Sequence, residues 1–182
     1  IKDNSSRGSL LSVLDKTTTS MGSRLLKKWI KEPLLNKEAV NKRLNALEDI
    51  NKSVIRREEI IELLKEVYDL ERLISRVNYG NANPRDLLAL KVSLSKVPLI
   101  KEKLEGSESE LLQLVSQMSE LKDVVKLIES AIKEDAPIII RDGGIINPEY
   151  NLELAELVDI KINAKKYLRE LYFTLDELIY FN

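Results

Sequence analysis

The last third of the chain carries the pattern that most constrains its fold. Leu154, Leu157, Lys161, Ala164, Leu168, Leu171, Leu175 and Leu178 recur by threes and fours. That spacing belongs to a helix with a heptad seam, one position of which is a lysine. About thirty residues at about 1.5 Å each give a rod of about 45 Å. A compact globule of 182 residues is only about 40 Å across. A helix of that length spans the body or projects from it, so residues 149–182 are expected to form one long helix beside a helical core at 9–148. Residues 1–8, polar and rich in asparagine and serine, read as an entering linker, and the isoleucine start reads as a cut from something longer.

The core carries its own punctuation. Residues 9–14 are a short apolar run, helix or strand. Thr17 to Ser20 offer N-caps to a helix with Met21, Leu25, Leu26, Trp29 and Ile30 on one stripe, which places Trp29 in the core. Pro33 ends it. Asn36 caps the helix of Val40, Leu44, Leu47 and Ile50, and Ile60 to Val67 form another stripe. Tyr68-Asp69 introduces a further helix, closed by the turn cluster of residues 78–83. Asn83-Pro84-Arg85-Asp86 is the clearest helix start: a cap, a proline at the first position and an acid at the positive end. Pro98 is expected to end that helix, with two more at 98–116 and 119–133 broken near Gly106. Residues 136–148 differ. Ile138 to Ile140 favour extended structure, Arg141-Asp142-Gly143-Gly144 signals a turn, and Ile145-Ile146 resumes. The segment is a tiny hairpin or an extended crossing. The fold class is all-α: a bundle of eight to ten helices, one short extended segment and a long C-terminal helix.

Chemistry is constrained by what is missing. The chain has no cysteine and no histidine. The commonest general base and the commonest zinc ligands are therefore absent. No catalytic, cofactor-binding or metal-binding residue is assigned. No apolar run reaches the roughly 20 residues that span a bilayer, no signal peptide is visible, and a cytoplasmic location is expected. The net charge of −1 does not suggest an autonomous nucleic-acid binder, yet residues 1–34 hold seven basic and three acidic groups while 102–134 hold four and eight. Two basic helix faces result. One is Arg24, Lys27, Lys28 and Lys31. The other is Lys161, Lys165, Lys166 and Arg169, with Tyr167 beside it, and these four are the candidate phosphate contacts. A solvated face balanced by nearby acids is the competing reading. The carboxylate neighbours Glu58/Glu59, Glu134/Asp135 and Asp176/Glu177 point about 100° apart on a helix and read as solvated faces. The Arg141–Gly144 turn could cradle an anion through its amides, but tight-turn chemistry explains it without a ligand.

Three blocks carry a resemblance. GSLLSVLDKTTTSMGSRLLKKWIKEPLL (8–35), YDLERLISRVNYGNANPRDLLALKVSL (68–94) and RDGGIINPEYN (141–151) occur in the order seen in MutS-type DNA mismatch-repair proteins. The first resembles the opening of that family's core region, and the last the point where core passes to helical lever. The resemblance implies a core and lever fragment, domain III, of a homodimeric clamp on mismatched duplex DNA. Its rigid helices would couple an ATPase end to the DNA-binding end. The partners implied are mismatched DNA, the parent's other domains and a second copy; ATP and Mg are implied for the full-length parent only. No G-x-x-x-x-G-K-[ST] string occurs, so the nucleotide site lies outside this chain and the fragment is expected not to be an enzyme. The likeness lapses near residue 160. The tail LYFTLDELIYFN holds Tyr172, Phe173, Tyr180 and Phe181 and suggests self-association through 168–181. The alternative function is a stand-alone helical dimerisation module without DNA or ATP binding.

Overall fold

The computed structural model describes residues 8–180, with side chains to Tyr172. The linker reading at residues 1–7 and the aromatic tail side chains Phe173, Tyr180 and Phe181 lie outside the described residues.

The fold is helical throughout. The short run at 9–14 forms α1 (Leu10–Leu14), with Ser9 accepting from the Ser12 amide. Thr19 caps α2 (Ser20–Lys31) through the Gly22 amide, and Asn36 caps α3 (Lys37–Asn51). Then follow α4 (Val54–Lys65), capped by Ser53, and α5 (Leu70–Asn78), capped by Asp69. Asn83 opens α6 (Pro84–Leu104) with a reciprocal box: its side chain takes the Asp86 amide, and Asp86 takes the Asn83 amide. α7 (Glu110–Ser116), α8 (Lys122–Ala131), α9 (Leu152–Ile162) and α10 (Ala164–Tyr180) complete the set.

Four readings need correction. First, Pro98 does not end its helix: α6 runs through it for 21 residues. An interior proline costs about 3 kcal/mol, but α6 packs against α4, α5, α7 and α8. Burial along several sides outweighs the lost amide bond. Second, the isoleucine run at 138–140 is not a strand; Ile140–Asp142 is a single 3-10 turn. The extended stretch comes later. The Lys133 amide donates to the Ile145 carbonyl at 2.9 Å, the Asn147 amide to Ala131 at 2.8 Å, and Ile132 and Ile146 form an antiparallel bridge. This segment crosses the end of α8 rather than folding back on itself. Third, Trp29 is not core. It is 37% exposed, and the Arg43 guanidinium lies 3.6 Å from its ring centroid, a cation–π contact between α2 and α3.

The fourth correction concerns the long rod. α9 and α10 are separate pieces of 11 and 17 residues, about 16 Å and about 25 Å long. They meet at Asn163, whose backbone sits at φ −102°, ψ 21°, outside the helical basin. Asparagine bonds locally in competition with the helix ladder. Here its amide side chain donates to the Asp159 carboxylate at 2.6 Å.

A buried apolar cluster gathers Ile128, Ile132 and Ala136, with Leu87, Leu90 and Ile145 against it. It seals α6, α8 and the crossing segment together. α9 follows the crossing segment and shares a pocket with it, and α10 packs against α9.

Candidate functional site

Among the described residues, three aspartates, Asp49, Asp69 and Asp86, each tie helices together. Asp49 lies at the C-terminal end of α3 and is 5% exposed. Its carboxylate accepts from the Arg56 guanidinium of α4 at 2.9 Å and from the backbone amides of Glu108 and Ser109 at 2.7 and 3.0 Å. One side chain thus joins α3, α4 and the entry to α7. Arg56, then the Ser109 amide, hold its pKa below the usual carboxylate range against the cost of burial. Asp69 takes both arms of Arg24 at 2.6 and 2.7 Å, and Ser20 at 3.0 Å, fastening α2 to α5. The Arg24 guanidinium drives the Asp69 pKa well down. Asp86, besides its capping role, takes Arg76 at 2.6 Å, joining α5 to α6. Between them, the buried Ser93 hydroxyl on α6 accepts from the Tyr68 amide at 2.9 Å and donates to the Ala89 carbonyl.

The sequence reading missed Asp49 as a clasp. One signal was present: an acid at the negative end of a helix is locally unfavourable, and such a residue implies an external compensation. The partners lie seven, 59 and 60 residues away, so the sequence does not reveal them.

The candidate basic faces fare differently. Arg24 is consumed by Asp69 and Glu71, which removes it from any phosphate-facing set; Lys27, Lys28 and Lys31 stay on α2. Lys161 lies on α9, and Lys165, Lys166 and Arg169 on α10. All four are exposed. The Asn163 joint divides Lys161 from the other three. Of the four, only Lys166 has an acid within ion-pair reach among the described residues, Glu170 at 4.0 Å. Tyr167 points elsewhere: its hydroxyl donates to Asp159 at 2.7 Å, spanning the joint. That bond raises the phenol pKa.

In the Arg141–Gly144 turn the Asp142 and Gly143 amides donate to Ile139 and Ile140. Those amides are spent internally, and Gly143 and Gly144 both hold φ +68°, a region that favours glycine. Of the carboxylate neighbours, Glu59 pairs with Lys103 at 3.0 Å and Glu134 with Lys91 at 3.5 Å. The side chains of Asp176 and Glu177 lie outside the described residues. Among the described residues no group of three or more acids could hold a metal ion. No helix there is long and apolar enough to cross a membrane.

The MutS domain III family matches residues 1–178, so the likeness does not lapse near residue 160 as the sequence reading expected. The chain is 41% identical over 172 residues to the DNA mismatch repair protein MutS of Clostridium tetani, covering 94% of the chain and 20% of that protein. The MutS proteins of Alkaliphilus metalliredigens and Ruminiclostridium cellulolyticum are 44% and 45% identical, with the same coverage. The chain therefore spans about a fifth of the length of the curated relatives it matches. With nearly all of its residues matched, this chain belongs to the MutS domain III family of DNA mismatch-repair proteins.

Proposed function

We propose that the chain is the core and lever part of a mismatch-repair protein, contributing no catalytic group itself and carrying motion between an ATPase elsewhere in the parent and mismatched DNA. The observation that supports this is the clasped bundle. α6, about 31 Å long, is flanked by α4, α5, α7 and α8, and its neighbours are fastened by Asp49, Asp69 and Asp86. A bundle so tied moves as a body, because packed cores shift between discrete arrangements instead of deforming continuously. ATP and Mg belong to the parent in this reading.

The joint that would pass the motion to α9 and α10 is the crossing segment at 145–147. Asn147→Pro removes the amide that donates to Ala131. In the full-length protein it should weaken the effect of mismatched DNA on ATP turnover by about fivefold or more, the usual scale of inter-site coupling. Basal turnover and DNA affinity should hold within about twofold. Unchanged coupling would refute the lever reading.

The exposed set Lys161, Lys165, Lys166 and Arg169 fits backbone phosphates of duplex DNA, in the full-length parent. Replacing the last three by glutamate should flatten the salt dependence of binding by about 0.9 for each phosphate no longer neutralised. An unaltered slope would remove this face from the interface. A stand-alone self-associating module is favoured by one observation only: Leu157, Leu168 and Leu171 are 58–61% exposed along the arm. Sedimentation of the chain with and without residues 168–181 separates the two, and a monomer in both cases excludes the module.

A further inference from the structure

Asp142 is the one aspartate of the chain that precedes a glycine, and no asparagine does. An Asp–Gly junction carries a reaction of its own. The glycine nitrogen can attack the aspartate side-chain carboxyl and close a five-membered ring. A β-carbon on the second residue crowds that approach, and glycine has none. The reaction also needs a carboxyl without partners and a backbone able to turn, and folding decides both.

Folding denies these to the other described aspartates. The carboxylates of Asp15, Asp49, Asp69, Asp86 and Asp159 are held by hydrogen-bond donors. Asp123 lies in the first turn of α8 and precedes the β-branched Val124. Asp135 precedes Ala136, which is fully buried and whose amide donates to the Lys133 carbonyl at 3.1 Å. Asp142 differs. Residues 138–144 are all exposed. Among the described residues no hydrogen bond or ion pair holds the Asp142 carboxylate. The Gly143 amide is tied by one bond, to the Ile140 carbonyl at 3.2 Å, which closes a single 3-10 turn. Such a turn has poor hydrogen-bond geometry, and in water it opens at little cost. A Cβ placed at Gly143 or Gly144 would meet nothing within 4 Å, so the glycine pair has open space around it.

We propose that Asp142 is a site of spontaneous covalent modification, converting through a succinimide to isoaspartate. The Gly143 nitrogen gives up its proton and bonds to Cγ of the protonated Asp142 carboxyl. The Cγ–OH bond breaks, and the hydroxyl leaves with that proton as water. Water then re-enters at one of the two ring carbonyls. Entry at Cγ restores aspartate. Entry at the main-chain carbonyl carbon breaks its bond to Gly143, and the backbone thereafter runs through Cβ and Cγ. One water leaves and one returns, and nothing is oxidised or reduced. The product carries its free carboxylate on Cα and one extra methylene in the main chain. Ile145, whose carbonyl takes the Lys133 amide, follows three residues later, so the added length enters beside the crossing segment.

The test ages the 182-residue chain in neutral buffer at physiological temperature and cuts it with a lysine-specific protease. The fragment 134–161 then holds Asp135, Asp142 and Asp159 together. Electron-transfer fragmentation locates isoaspartate, because it cleaves the Cα–Cβ bond that the altered linkage places in the main chain. Isoaspartate should gather at Asp142 at least about tenfold faster than at either of the others, a barrier lower by about 1.4 kcal/mol. Its rate should also lie within about tenfold of that in a free peptide of residues 134–148, since the fold leaves the turn open. Asp142→Glu cannot close a five-membered ring and should stop the reaction. Asp142→Asn should react faster, losing ammonia in place of water, and the change in mass gives a second readout. Circular dichroism checks both variants, each of which alters one exposed side chain. If Asp142→Glu does not fold, Asp142→Asn decides. A smaller preference over Asp135 and Asp159 overturns the proposal. So does an Asp142 rate more than about tenfold below the peptide's, because the folded turn then holds the ring-closing atoms apart. An Asp142→Asn chain that keeps its amide does the same.

Discussion

Asp49→Ala tests whether the bundle is held as described. The substitution removes a carboxylate that accepts three hydrogen bonds: one from Arg56 and two from the amides of Glu108 and Ser109. The Ser109 amide is buried, and the Arg56 side chain is 21% exposed, so water replaces these bonds incompletely. Breaking a buried ion pair from one side costs about 3–5 kcal/mol, chiefly through the charge left behind. Charge-assisted hydrogen bonds contribute about 1.5–3 kcal/mol each. The expected loss is about 4 kcal/mol, equivalent to roughly 10 °C in Tm for a chain of this size. Urea unfolding followed by circular dichroism measures it. A double-mutant cycle with Arg56→Ala should show coupling of at least about 1 kcal/mol, because the pair shares the site. Arg56 also donates to the Asp49 carbonyl, so its single substitution costs stability by a second route that the cycle cancels. A loss under about 1 kcal/mol, or coupling indistinguishable from zero, would refute the clasp.

Acid should loosen the same structure. Asp49 and Asp69 both have depressed folded pKa values, so their contribution is complete above the unfolded carboxylate pKa of about 4. It drains as pH falls through the folded values. Urea midpoints should therefore drop below about pH 4, and Asp69→Asn should flatten that drop. Gly106→Ala should cost about 1 kcal/mol although a new Cβ meets nothing within 4 Å, since the residue sits at φ +75°. Thermal unfolding reads that backbone penalty directly. Asp159→Ala should return the Tyr167 phenol toward its ordinary titration range, seen by ring NMR as pH rises; an unmoved midpoint would deny the bond across the Asn163 joint.

Some features were legible because they are local. Thr19, Asn36, Asp69 and Asn83 cap the helices the sequence assigns to them, and each does so within three residues of its partner. Gly80 closes the asparagine-rich turn at φ +68°. Pro33 and Pro98 show the limit of such rules. Both disfavour a continuing helix to a similar degree, yet only Pro33 marks an end, because α6 is packed on several sides and α2 has no buried residue. Trp29 failed for a related reason. Its stripe is apolar, but α2 is held to the bundle by Arg24 and Asp69 and leaves the indole to Arg43.

By itself the sequence determined the all-α class, the order of the helices and the family, through periodicity, caps and three ordered blocks. It also placed the basic residues of the terminal arm. Only the tertiary structure decided that the rod divides at Asn163, that Arg24 is spent on Asp69, and that Asp49 joins three elements. The division has a physical cause. Helix starts are settled by bonds within a turn, which a linear pattern records. A clasp is settled by which faces meet across tens of residues, and that depends on packing all the helices at once.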